Sequence, residues 1–141
     1  MVAIIQVMPG VMLALVLTYL VAITATKESH DGGVSNVPWQ LAALVSLFFL
    51  VWSVYTMIVE PMNGFWTEHT RNFWGNQIWF DLIFGIAIGW TLILPRARAV
   101  GMNIVFWFIF VVAMANIGLL AMLARILYLE DRKKSRYAKL Y

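Results

Sequence analysis

The chain has 141 residues, 62% of them hydrophobic and only 12% charged, with a formal net charge of +3 and no cysteine. Soluble domains carry roughly 25% charged residues, so about half the charge that solvates a water-facing surface is missing. The lack of cysteine excludes disulfides, thiolate metal sites and thiol nucleophiles.

A bilayer core of ~30 Å needs about 20 apolar residues for each helical crossing. Four blocks meet that requirement, at about 3–25, 39–60, 76–94 and 102–128. They are continuously apolar, whereas barrel strands alternate over ~10 residues. The predicted fold is therefore all-α: an integral membrane four-helix bundle over 1–129, followed by a basic cytoplasmic tail over 130–141.

The first block opens "MVAIIQVMPG", without the positive n-region of a signal peptide and with an apolar run longer than the usual h-region, so it reads as a retained helix. Pro9-Gly10 loosens its first turn. After the polar loop "TKESHDGGVSN", Ser35 or Asn36 caps the second helix, and Pro38 suits an early helical position. Pro61 ends that helix. The connection "MNGFWTEHTRNFWG" carries Phe65, Trp66, Phe73 and Trp74, aromatics that favour the headgroup zone, so it is expected to lie on the membrane surface. Pro95 is expected to end helix three, with "RARAVG" turning the chain into helix four.

Four crossings place both termini and the 61–75 connection on one side. That side then holds Arg71, Arg125, Arg132, Lys133, Lys134, Arg136 and Lys139, against Lys27, Arg96 and Arg98 on the other. The positive-inside bias assigns the first side to the cytoplasm, giving an N-in/C-in arrangement. Arg132, Lys133, Lys134 and Arg136 are the candidate headgroup ligands of the tail, each contributing about 1 kcal/mol near an anionic surface. Nucleic acid is a poor alternative, because anchoring already accounts for the charge and no folded basic module exists.

Helix three carries the most informative pattern. Gln77, Asp81, Gly85 and Gly89 recur at i+4 and share a face, and "GIAIG" is a GxxxG element that permits close helix approach. In an antiparallel neighbour, Asn116 lies at the depth of Asp81, which predicts a carboxyl–amide hydrogen bond between helices three and four. Gly118 and alanines at 113, 115, 121 and 124 favour the same packing. An ionised aspartate in lipid costs about 2.5–3.5 kcal/mol on insertion scales, so Asp81 is expected to hold a packing partner or to serve proton or cation passage.

Other chemistry is weakly supported. The two histidines, His30 and His69, lie in loops on opposite predicted faces, which excludes a shared ion. Ser46, Ser53 and Thr56 have no histidine at helical reach and are expected to bond their own helix backbone. No phosphate-binding or dinucleotide glycine motif occurs. Seven tryptophans and eight methionines suit belt and lipid-facing positions, or a pocket for a quinone or carotenoid.

"WFDL", "RARAVGMN" and "IGLLAMLAR" within residues 42–129 resemble a family of small bacterial inner-membrane proteins classified as a domain of unknown function. The resemblance places Asp81, Arg98, Gly101 and Gly118 at its aspartate-leucine, alanine-arginine-x-x-glycine and glycine-leucine elements. This chain differs by its extra first helix and by Pro95 where the family often has charge. The resemblance implies a helical fold and a bacterial inner membrane, and it brings no activity. Together these features predict a non-enzymatic protein acting by helix packing, as an accessory subunit of a membrane complex or as a homo-oligomer. The alternatives are a small oligomeric transporter using Asp81 and a quinone or carotenoid binder.

Overall fold

In the computed structural model, residues 38–137 are described together with 11, 14, 16–18 and 21, and the described residues contain helices and no strand. The chain divides into two units, Met1–Pro38 and Trp39–Tyr141. In the first, residues 11, 14, 16–18 and 21 are helical, and Thr18 Oγ1 donates to the Ala14 carbonyl at 2.8 Å. The rest of the predicted first helix, its Pro9-Gly10 entry and the loop carrying His30 lie outside the described residues.

The second unit contains α1 (Trp39–Val59), α2 (Gly64–Thr70), α3 (Phe73–Ala99), α4 (Ile104–Met114) and α5 (Asn116–Tyr137). α1 and α3 are long and apolar enough to cross a membrane, and almost none of their most apolar stretches is buried within the protein. Ile58 is 77% exposed and Leu92 is 69% exposed. Large apolar surfaces of this kind mark contact with a membrane or with other protein.

Three differences from the sequence-based expectation decide the architecture. The first is that α3 runs through Pro95 and ends at Ala99. A proline inside a helix loses one backbone bond and costs about 3 kcal/mol. The turn beyond it offsets this, because Ala97 is fully buried and Arg96 is paired across to Glu130. The helix stops at Gly101, whose φ of +73° places it in the left-handed region that glycine enters freely. Met102 N–H then donates to the Ala97 carbonyl and Gly101 N–H to the Arg98 carbonyl, both at 3.0 Å, closing a Schellman-type end.

The second difference is that the single helix expected over 102–128 is two helices. Ala115 interrupts it with φ 49° and ψ −127°, a conformation that L side chains rarely adopt. Beyond the break the chain turns back on itself: a Cβ on Gly118 would meet the Phe110 carbonyl oxygen and Val111 Cα, each at 2.9 Å. In a straight helix, residues seven apart are about 10 Å apart along the axis. α4 and α5 are therefore an antiparallel hairpin.

The third follows from the second. Leu119 lies against Gly89 and Glu130 against Arg96, so α5 runs parallel to α3. Trp39 meets Tyr128 with ring centroids 5.3 Å apart, and Ser46 meets Ile117, so α1 is antiparallel to α5. The ends of α3 and α5 thus lie together at one end of this unit, where a straight fourth helix would have separated them. The connection 60–72 lies at the other end. This corrects the expected grouping of charges: Arg96 and Arg98 share an end with Arg132, Lys133, Lys134 and Arg136, and Arg71 is opposite them.

α5 is the central element, packing against α1, α4 and α3. Its first half supplies most of the buried side chains, with Ile117, Met122, Ala124, Ile126 and Leu127 at its core. Ala97 and Val111 complete the cluster, against which Ile86, Trp90 and Ile93 of α3 also pack.

Candidate functional site

The residues that pack α3 onto the core, Ile86, Trp90, Ile93 and Ala97, recur on one side of the helix. At 100° per residue, Gln77 and Asp81 fall well over 90° around the axis from that side. The structure accordingly leaves Asp81 exposed. Gln77 Nε2 donates to Asp81 Oδ1 at 3.3 Å, the two side chains being one helical turn apart. The predicted bond from Asp81 to Asn116 does not form. Asn116 begins α5 immediately after the Ala115 break and is half-buried there, on a chain segment that has already reversed direction.

The four residues of the stripe divide into two pairs. Gln77 and Asp81 bond to each other. Gly85 has open space where a Cβ would stand, whereas a Cβ on Gly89 would meet Leu119 Cδ2 at 2.5 Å. The stripe winds slowly around α3, so its end reaches the α5 contact and its beginning faces away from the core cluster. Gly118 serves the hairpin rather than a contact with α3.

At the start of α3, Asn72 caps the helix by accepting from Gly75 N–H at 2.8 Å. Asn76 Nδ2 donates to the His69 carbonyl at 2.7 Å, tying α2 to α3. The His69 ring lies 5.0 Å from the Trp79 ring, and its Nδ1 bonds the Phe65 carbonyl. Phe73 and Trp74 are 95% and 78% exposed, which places large aromatics at the outer end of the apolar span. Glu68 pairs with Arg71 at 3.1 Å with both side chains exposed. Among the described residues, no group of three or more His, Cys, Asp or Glu side chains converges; Glu28, His30 and Asp31 lie outside them.

At the opposite end, Arg96 Nε and Nη2 donate to the two carboxylate oxygens of Glu130 at 3.1 and 2.7 Å. The fork is bidentate, the stronger geometry for this pair, and the Glu130 side chain is only 12% exposed. Arg132, Lys133, Lys134 and Arg136 are exposed along the last turns of α5. The guanidinium groups of Arg125 and Arg132 lie 5.5 and 5.7 Å from the Tyr128 ring centre.

Two contacts between helices escape sequence reasoning. One is the Arg96–Glu130 fork, hidden because Pro95 reads as a helix end. The other is Ser46, a buried side chain that donates not to its own helix but to the Ile117 carbonyl at 3.0 Å. Thr56, by contrast, bonds its own helix, at the Trp52 carbonyl. Compared with family models, with curated proteins and with solved structures, the chain matches none.

Proposed function

We propose that this is a non-enzymatic integral protein of a bacterial inner membrane that works through helix packing, as an accessory or scaffold subunit of a membrane complex or as a homo-oligomer. The observation that carries this reading is the outward face of α3. There a hydrogen-bonded Gln77–Asp81 pair and an unfilled Gly85 sit on an otherwise apolar helix. Polar side chains in hydrocarbon are costly and are found facing other protein, and small residues mark where a second helix approaches. A helix from another subunit or another copy satisfies both conditions.

The test is assembly state in mild detergent. The wild-type chain should run larger than a monomer or bring a second membrane protein with it. Gly85→Leu should release the monomer without unfolding it, since no described residue lies within 4 Å of a Cβ at that position. A monomeric wild type that co-purifies with no subunit would overturn the proposal. So would ion or proton flux in liposomes that Asp81→Asn abolishes while the assembly state is unchanged, an outcome that favours the transport reading instead.

A further inference from the structure

We infer that α4 and α5 form a re-entrant hairpin, which enters the bilayer from the face bearing the basic end of α5, turns at Ala115 in mid-membrane and leaves by the same face. The inference rests on the reading that α1 and α3 cross the bilayer.

Length supports it first. α4 has 11 residues, about 16 Å of helix, against a hydrocarbon thickness of ~30 Å. The part of α5 that precedes its charged run, residues 116–129, measures about 21 Å and already carries exposed Arg125. Neither arm spans the membrane.

Depth supports it next. Leu119 is level with Gly89, so Ala115, four residues earlier on a parallel helix, is level with about Gly85. That point is roughly 20 Å from either end of α3.

A chain reversal inside hydrocarbon is tolerated only where protein covers it, and this one is covered on its α5 side, while Val112 and Ala113 on the α4 side are exposed. Ile117 and Gly118, next to the turn, are buried. Ala115 N–H donates to the Val111 carbonyl at 2.7 Å, and the Ala115 carbonyl accepts from Leu119 N–H at 3.1 Å. Ser46 reaches across from α1 to the Ile117 carbonyl. α1 and α3 flank α5, so the arm with the polar start is the one shielded from lipid.

Charge supplies an independent line. Among the described residues, the hairpin gathers Arg96, Arg98, Arg132, Lys133, Lys134 and Arg136 at one membrane face, leaving Arg71 at the other beside Glu68. That distribution obeys the positive-inside bias, whereas a straight fourth helix would split the basic residues between the two faces. The basic face is then the cytoplasmic one.

The chain has no cysteine, so single cysteines report sidedness cleanly. Ala99→Cys, Ser135→Cys and Thr67→Cys replace exposed side chains and are probed in sealed membranes with a membrane-impermeant maleimide, before and after permeabilisation. Ala99→Cys and Ser135→Cys should behave alike, and Thr67→Cys oppositely, with labelling at the protected face absent until permeabilisation. Ala99→Cys and Ser135→Cys on opposite faces would overturn the hairpin while leaving the two spans intact. All three on one face would overturn the crossing of α3, and the hairpin with it. Where one variant fails to accumulate, Asn63→Cys replaces Thr67→Cys and Arg136→Cys replaces Ser135→Cys.

Discussion

Gly118 and Gly85 are the same residue type put to opposite uses. At Gly118 the neighbours of an added Cβ are backbone atoms of Phe110 and Val111, which cannot swing aside. Gly118→Ala should therefore destabilise the hairpin by about 1–3 kcal/mol, the range for overpacking, measured as thermal unfolding in detergent. Gly85→Ala meets nothing and exchanges glycine for a better helix former, so the monomer should be unchanged or stabilised by up to about 1 kcal/mol. Ala115 is the complementary case. Its positive φ with ψ −127° stores about 1–3 kcal/mol in an L residue. Ala115→Gly should raise the unfolding temperature and Ala115→Val should lower it. The opposite order would mean that the turn is not the conformation populated in the membrane.

At the scale of elements, the Arg96–Glu130 fork is what carries α3 past its proline. The Arg96 side chain is about one-third exposed, so the pair falls between surface and buried regimes, and a double-mutant cycle should return a coupling of about 1 kcal/mol. That coupling should weaken between low and high salt, because the fork sits within screening reach of solvent. Glu130→Ala alone should loosen the end of α3 and the α5 contact together. Apolar length made α1 and the body of α3 legible in the sequence, since about 20 residues is a requirement set by the bilayer. The end of α3 was not legible, because whether a proline stops a helix depends on what the next turn packs against. Here that is Ala97 in the core and Glu130, 34 residues further on. The break at Ala115 was hidden for a related reason. Residues 102–128 are mostly apolar, and apolar length alone does not distinguish a 27-residue span from two short arms folded together. The one local signal, Asn116 beside Gly118, was absorbed into a predicted contact with Asp81.

At the scale of the Trp39–Tyr141 unit, two apolar spans flank α5, and one face of α3 has no neighbour among the described residues of that unit. The stripe of Gln77, Asp81, Gly85 and Gly89 was readable from spacing, but which neighbour it meets was not. Spacing fixes a face on one helix, whereas the partner depends on how the other helices turn. Only Gly89 meets α5; Gln77 and Asp81 satisfy each other and still present their remaining polar atoms outward. A polar face surrounded by apolar residues is stable in a membrane when another helix lies on it. The direct measurement is the oxygen accessibility of a nitroxide placed on α3 in bilayers, at Ile88→Cys on the polar side and at Ala87→Cys away from it, both exposed within the chain. Covering by a second helix predicts markedly lower accessibility at 88 than at 87; equal, lipid-like accessibility at both positions would contradict it.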